Sequence, residues 1–402
     1  MAGETYLFDE YALDTARLQL RRGGDAVHVE PRAFDVLVHL AERRDRVVTK
    51  DELLDAVWGD RFVSEAALTT ALRTARRAVG DSGDAQRVVR TVHGRGYQFI
   101  AETRVEVTAG SGASTPPSPR PLAERQEIRF CRAADGARIA YAEVGDGPPL
   151  VKAANWITHL DLEWSSPVWA HWMQGLAAGR TLIRYDERGC GLSDWEVGEF
   201  TFDDWVSDLE TVVDAVGIER FPLIGISQGA AVALAYAVRH PERVSKLVLA
   251  GGYARGRLVR ATTDAERSAA ALDLDLARVG WAQQDPSFMR VFASQFLPQG
   301  TQEEWDEFTS FQRATTSAGN AVRFLQEFAD IDVSDIAHLV QCPTLILHSR
   351  DDVRVPASQA YELASLIPDS RLALLDSGNH LLSPSEPAWP EFLAQLDEFL
   401  AE

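Results

Sequence analysis

The sequence predicts two soluble domains, a small α+β domain over residues 1–107 and a larger doubly wound α/β domain over residues 124–402. Three observations carry this reading. The stretch from Thr108 to Pro121, within a linker of residues 108–123, is too poor in apolar side chains to pack and too rich in Pro and Gly to form a helix. Ahead of it, short β-rich runs give way to three amphipathic helical repeats and a closing hairpin. Behind it, six short apolar runs alternate with helical patterns, the signature of strands joined by crossover helices.

Composition sets the outer bounds. At 402 residues, 46% apolar and 25% charged, the chain has room for two or three hydrophobic cores. No window approaches the ~18 consecutive apolar residues of a membrane span. The acidic start Met1-Ala2-Gly3-Glu4 lacks the basic and apolar regions of a secretory leader. A cytoplasmic protein with no membrane partner is expected. Cys131, Cys190 and Cys342 are odd in number and far apart, which fits a reducing compartment and argues against a disulfide framework or a CxxC zinc site. Neither a metal nor a cofactor is expected.

The net charge of −20 argues at first against a polyanionic partner. Divided at the linker, however, residues 1–107 carry 16 Arg+Lys against 18 Asp+Glu, so −18 falls on the remainder. Within residues 61–104 eight Arg stand against four acids, a local +4. One locally basic surface is therefore separated from an acidic bulk.

In the first domain, strand-like runs lie at Tyr6-Leu7-Phe8, Arg17-Leu18-Gln19-Leu20 and Ala26-Val27-His28-Val29, interrupted at Gly23-Gly24. After Pro31, Phe34, Leu37, Val38 and Ala41 recur at i, i+3, i+4, i+7, the spacing of an amphipathic helix. Thr49-Lys50-Asp51-Glu52 is a capping box that opens a second helix. A third helix begins at Ser64 and buries Leu68, Ala71, Leu72, Ala75 and Val79, so its other face carries Thr69, Thr70, Arg73, Thr74, Arg76 and Arg77. Runs Val88–Val92 and Tyr97–Ile100 flank His93-Gly94-Arg95-Gly96, a hairpin with Arg95 at its tip. Hydroxyls and guanidiniums on one helix face suit the major groove, and an Arg on a hairpin tip can enter the adjacent minor groove.

Residues 5–103 resemble the winged-helix effector domain of OmpR/PhoB-type response regulators. Val48-Thr49-Lys50-Asp51-Glu52-Leu53-Leu54-Asp55-Ala56-Val57-Trp58-Gly59 matches its second-helix block, and Arg90-Thr91-Val92-His93-Gly94-Arg95-Gly96-Tyr97 its wing. The resemblance implies promoter DNA as partner, the third helix as recognition helix and Arg95 as the wing residue. That family usually carries a phosphoacceptor receiver ahead of this domain, and this sequence has none there, so the signal is expected from the C-terminal side.

In the second domain, strands are expected at Pro149–Ala153, Thr181–Tyr185, Phe221–Gly225, Lys246–Ala250, Thr344–His348 and Arg371–Leu375. The third runs into Gly225-Ile226-Ser227-Gln228-Gly229 and then a small-residue helical run. A G-x-S-x-G at a strand-to-helix turn is a nucleophile elbow, its glycines removing side chains that would clash around the strained serine. A serine hydroxyl needs a base within hydrogen-bond reach, and the base an orienting carboxylate. Downstream, one strand ends in Asp351-Asp352-Val353-Arg354-Val355-Pro356 and the next in Asp376-Ser377-Gly378-Asn379-His380.

The order Ser, Asp, His and the block Asp186-Glu187-Arg188-Gly189-Cys190-Gly191-Leu192-Ser193 resemble the α/β-hydrolases. The family's D-x-x-V-P pattern places the acid at Asp352, with Asp351 as the fallback, and the base at His380. The resemblance also implies an oxyanion hole of backbone N–H groups from Trp156 and Gln228. Where these hydrolases usually have His-Gly, this chain has Ala154-Asn155. With His159-Leu160-Asp161 and Glu163-Trp164, the region resembles hydrolase modules fused to cyclases or regulator domains in actinobacteria, which implies a sensor. The stretch of about residues 253–343 is longer than one crossover needs and rich in Trp281, Phe288, Phe292, Phe296, Phe324 and Phe328. It is expected to be a helical cap, some of its aromatics lining an apolar pocket.

Together these features predict a one-component transcriptional regulator. Its winged helix would bind promoter DNA as a homodimer, with RNA polymerase as a further partner, and its hydrolase domain would sense and hydrolyse a small apolar ester, lactone or related effector. Two alternatives share the sequence: a carboxylesterase with a winged-helix targeting domain, and a catalytically silent hydrolase-fold receptor controlling DNA binding.

Overall fold

The computed structural model describes residues 4–15, 19–23, 25–27, 29, 31–58, 65–82, 85–92, 95–107, 122–198, 200–281, 283 and 285–402. They divide into two compact units, Met1–Pro117 and Ser118–Glu402.

In the first unit, β1 (Glu4–Phe8), β2 (Tyr11–Asp14), β3 (Gln19–Arg22) and β4 (Asp25–Val27) form an antiparallel meander. Three helices follow, α1 (Pro31–Glu42), α2 (Lys50–Trp58) and α3 (Glu65–Ala78), then the hairpin β5 (Val89–Val92) and β6 (Gly96–Phe99), and β7 (Thr103–Val107). The last strand, which the sequence reading did not anticipate, returns to pair with β1, giving the order β4-β3-β2-β1-β7. Alternate strand residues Tyr6, Phe8, Leu13 and Leu20 pack with Phe34, Leu37 and Leu40 of α1, Leu68 and Leu72 of α3, and Phe99. Thr49 caps α2 by accepting the Glu52 N–H at 3.2 Å. Several expected features lie outside the described residues: Arg17-Leu18, Gly24 and His28 of the first strand-like runs, Gly59, the Ser64 cap, the hairpin tip at His93-Gly94, and the Thr108–Pro121 stretch.

The second unit opens with a short helix, α4 (Leu122–Arg125), that begins inside the expected linker. Next come β8 (Glu127–Arg132), β9 (Arg138–Gly145), β10 (Pro149–Lys152), α5 (Ala170–Ala177), β11 (Thr181–Tyr185), α6 (Phe202–Val216), β12 (Phe221–Ile226), α7 (Gln228–Arg239) and β13 (Val244–Ala250). The cap region holds α8 (Arg257–Arg260), α9 (Asp264–Gly280), α10 (Ser287–Ser294), α11 (Gln302–Thr315), α12 (Ala318–Asp330) and α13 (Ser334–Ala337). The chain closes through β14 (Thr344–Ser349), α14 (Ser358–Leu366), β15 (Ser370–Leu375) and α15 (Ala388–Ala401).

The sheet order is β15-β14-β13-β12-β10-β11-β9-β8, parallel from β15 to β11, with the β8–β9 hairpin antiparallel at one edge. Helix α5 meets α15 where the Trp172 and Trp389 rings lie 4.9 Å apart; α6 pairs with α7, which packs on β12 and β13. The buried parallel strands read as continuous apolar runs because helices cover them. Their carboxyl ends lie along one edge of the sheet, and the strand order reverses between β10 and β12, the kind of switch point at which such sheets bind ligands.

The Asp186–Ser193 loop after β11 is a structural clasp. Asp186 Oδ2 accepts the N–H groups of Leu160 and Leu192, Arg188 forks onto Asp208 at 2.8 and 2.6 Å, and Ser193 donates to the Asp186 carbonyl at 2.7 Å. Gly191, at φ 58°, is required here because a Cβ would lie 2.2 Å from Asp186 Oδ2.

Candidate functional site

Ser227 sits between β12 and α7 at φ 54°, ψ −125°, a conformation that L-residues avoid. The flanking glycines make it possible: a Cβ on Gly225 would lie 2.3 Å from the Gly229 carbonyl, and one on Gly229 2.5 Å from that of Ala154. His380 Nε2 lies 2.8 Å from Ser227 Oγ, and His380 Nδ1 lies 2.6 Å from Asp352 Oδ2. All three side chains are buried.

Asp352 Oδ1 accepts the N–H groups of Arg354 and Val355 at 2.8 and 2.9 Å. Burial alone would raise its pKa, but His380 and the Val355 amide hold the carboxyl below the ordinary value. Asp351, the fallback acid, is exposed. His348, read from sequence as a strand-end residue, lies under this acid; its Nε2 is 2.8 Å from the Val355 carbonyl and 3.7 Å from Asp352 Oδ2. Burial lowers its pKa, and its hydrogen bond to the Val355 carbonyl ties down the acid's loop. Such a relay can lower the cost of deprotonating a serine and can return the proton to a leaving group.

Trp156 follows β10 and Gln228 is the first residue of α7; the close packing of Gly229 on Ala154 brings these segments together. The departure at Asn155 has a physical account. The left-handed residue of this loop is Ile157, at φ 35°, so position 155 does not require glycine. Asn155 Oδ1 instead accepts from the buried ammonium of Lys152, whose pKa burial lowers. On the other side, the Gln228 amide donates to Glu187 Oε1 at 3.0 Å, and burial pushes the Glu187 carboxyl up to about 8. Polar side chains thus tie down both segments.

A small, partly open cavity adjoins Ser227. Of the cap aromatics, Phe296 and Phe328 line it, while Phe292 packs on the Trp156 ring at 5.8 Å and Phe288 is exposed. Arg257, Arg260 and Arg354 also line it, with Asp273. Sequence reasoning missed these four. For the arginines the signal is the run Arg255-Gly256-Arg257-Leu258-Val259-Arg260, which starts five residues beyond the last residue of β13, and Arg354 inside the acid's own motif; nothing in the sequence marks Asp273.

On the first unit, Thr69, Arg73 and Arg77 of α3 are exposed and Thr74 is half-buried; the Thr70 side chain lies outside the described residues. Arg95 is exposed at the start of β6. Arg76 departs from the expectation: it is 9% exposed and donates to the Val89 carbonyl and to Thr91 Oγ1 at 2.9 Å. Its long side chain folds back from the edge of the helix face to join α3 to β5. Nearby, Asp81 accepts the N–H groups of Ser82, Arg87, Val88 and Val89.

Compared with known proteins, residues 24–99 match the family model described as transcriptional regulatory protein, C terminal, and residues 159–334 the one described as alpha/beta hydrolase fold. The chain is 29% identical to pyrrolizixenacetamide deacetylase of Xenorhabdus hominickii, over 66% of this chain and 95% of that protein. It is 28% identical to 2-hydroxy-6-oxo-2,4-heptadienoate hydrolase of Pseudomonas putida, over 67% and 94%. The esterase EaEST from Exiguobacterium antarcticum superposes with a TM-score of 0.58 at 23% identity, covering 69% of this chain and 100% of that one, a likeness of fold.

Proposed function

We infer, from a chain that joins a DNA-binding winged helix of the transcriptional-regulator type to an α/β-hydrolase-fold domain, that this protein is a ligand-responsive regulator. Its hydrolase domain binds and hydrolyses a small ester, lactone or related acyl compound. The observation that carries the reading is the unbroken relay from Ser227 through His380 to Asp352, at 2.8 and 2.6 Å, on a strained elbow.

In the proposed reaction, Ser227 Oγ attacks the acyl carbonyl while His380 Nε2 takes its proton. Asp352 holds the imidazolium that forms. The carbonyl oxygen becomes an oxyanion held by the N–H groups of Trp156 and Gln228, the latter at the positive end of α7. His380 then protonates the leaving group, and a water activated by the same ring releases the acyl group. Turnover of the effector would reset the regulator.

DNA recognition falls to the exposed face of α3, through Thr69, Thr70, Arg73, Thr74 and Arg77, with Arg95 on the wing. Two such half-site contacts reinforce each other in a dimer, so a homodimer on promoter DNA in the cytoplasm is the proposed working form, with RNA polymerase its further partner. Among the described residues no helix is long and apolar enough to cross a membrane. Full-length protein should hydrolyse p-nitrophenyl butyrate, and Ser227→Ala should remove that activity. Absence of turnover across short esters would contradict the hydrolytic part of the reading.

A further inference from the structure

Outside the winged-helix unit the chain carries a charge of −18, yet the cavity beside Ser227 has the opposite sign. Its walls bring three guanidiniums, Arg257, Arg260 and Arg354, against one carboxylate, Asp273. That carboxylate is 4% exposed and already shared. Its Oδ2 accepts from Arg257 and from Arg354 Nη1 at 2.6 Å, and its Oδ1 from Gln295 at 3.0 Å. Arg354 also stacks on Phe296 at 4.7 Å, which fixes it in the wall.

Arg260 is different. Among the described residues no carboxylate lies within ion-pair distance of it. Its one side-chain hydrogen bond runs from Nη1 to the Arg255 carbonyl at 3.0 Å, and its guanidinium lies over the Tyr253 ring at 5.7 Å. Among the described residues the remaining donors have no protein partner, and the side chain lines the cavity. Burial, with the like charge of Arg354 adding to it, lowers the pKa of Arg260 and brings that of Arg257 down to about 10. A half-buried guanidinium whose open donors face a cavity is placed to take an anion in charge-assisted hydrogen bonds. The same arginines line an adjoining second cavity, so they stand between the serine and its surroundings.

We propose that the acyl compound bound at Ser227 carries a carboxylate that pairs with Arg260. This rests on the reading of Ser227 as the centre of an acyl-binding site and narrows its ligand. A planar guanidinium with open donors matches a carboxylate in two parallel hydrogen bonds. Arg257 and Arg354, neutralised only in part by Asp273, add attraction without needing to touch the ligand. Phe296, Leu325 and Phe328 supply the apolar wall for a short spacer between the two ends. The ligand is thus an acid-bearing ester, lactone or amide, which adds a carboxylate to the small, mostly apolar effector expected from the sequence.

The test uses full-length protein and matched chromogenic esters, the mono-p-nitrophenyl esters of succinic and glutaric acid against p-nitrophenyl butyrate and valerate. After subtraction of the uncatalysed rate, the anionic ester of each pair should be favoured about tenfold or more in kcat/KM. Arg260→Gln should erase most of that ratio, and Arg260→Lys should restore part of it. A wild-type ratio of one or less, or a ratio that Arg260→Gln leaves unchanged, overturns the proposal. Calorimetric binding of glutaric acid monoamide against pentanamide to Ser227→Ala separates this failure from that of the hydrolase reading. Preferential binding of the acid without turnover of any ester sinks hydrolysis and keeps the carboxylate subsite. Turnover without that preference does the reverse.

Discussion

The main-chain N–H of His380 donates to the carbonyl of Phe296 at 2.9 Å, and the two rings meet edge to face at 5.8 Å. A residue at the end of the cap's α10 thus holds the proposed general base from behind, while Asp352 holds it from the side. Cap and relay are one mechanical unit, so changes in the cap should reach the chemistry.

Phe296 is buried, and truncation to Ala should cost about 3–5 kcal/mol, as for other core Phe residues. Urea unfolding measures that loss. The same variant should lower kcat for p-nitrophenyl butyrate more than it raises KM, since it loosens the base rather than the binding wall alone. Phe296→Leu should show both effects in weaker form.

Two adjacent acids competed for one role in the sequence, and geometry separates them. Asp352→Asn should cut kcat by about 10⁴-fold by leaving His380 in the wrong tautomer. Asp351→Asn, on an exposed side chain, should change stability by no more than about 0.5 kcal/mol and leave turnover near wild type. Steady-state kinetics on the pair decides the assignment.

Glu187 predicts a pH dependence of stability. Burial raises its folded-state pKa to about 8 from an ordinary 4.5, so its contribution is fully present below about 4.5 and is lost as the pH rises through 8. Glu187→Gln keeps an oxygen to accept the Gln228 amide but removes the titration. Melting curves between pH 5 and pH 9, on the order of these two pKa values, should show a shallower decline for the variant, with its advantage over wild type largest at the alkaline end.

Arg73 and Arg76 lie one helical turn apart and should fail in different ways. Arg73→Ala should weaken binding to promoter DNA and reduce its salt dependence while leaving the melting temperature near wild type. Arg76→Ala removes hydrogen bonds from a charged donor to Val89 and Thr91, so it should cost roughly 1.5–3 kcal/mol of winged-helix stability. Thermal melts and fluorescence anisotropy on the two variants separate recognition from scaffolding.

These contrasts mark what local sequence can and cannot carry. Ser227, Asp352 and His380 were legible because each sits at the end of a strand whose apolar run is unmistakable, in motifs whose backbone demands are local. The face of α3 was legible from its period, but period alone does not say that the long Arg76 side chain turns back to β5. Strand β8 lies at the sheet edge with Ile128 and Phe130 exposed, so burial gives it no clear pattern. Arg260 and Arg354 are separated by most of the cap and meet only once the chain has folded. Asn155 departs from the usual His-Gly without consequence for the turn because the loop's left-handed position is Ile157, which no motif marks.

In a ligand-responsive regulator, occupation of the hydrolase site alters DNA binding. The most direct measurement is the anisotropy isotherm of full-length protein on the DNA upstream of its own coding sequence, before and after Ser227 is capped by a fluorophosphonate. An allosteric coupling of 1–3 kcal/mol corresponds to a shift in midpoint of about 5- to 150-fold. A shift in that range is expected, absent when Ser227→Ala is treated in the same way. Superimposable isotherms on fully labelled wild-type protein would contradict it.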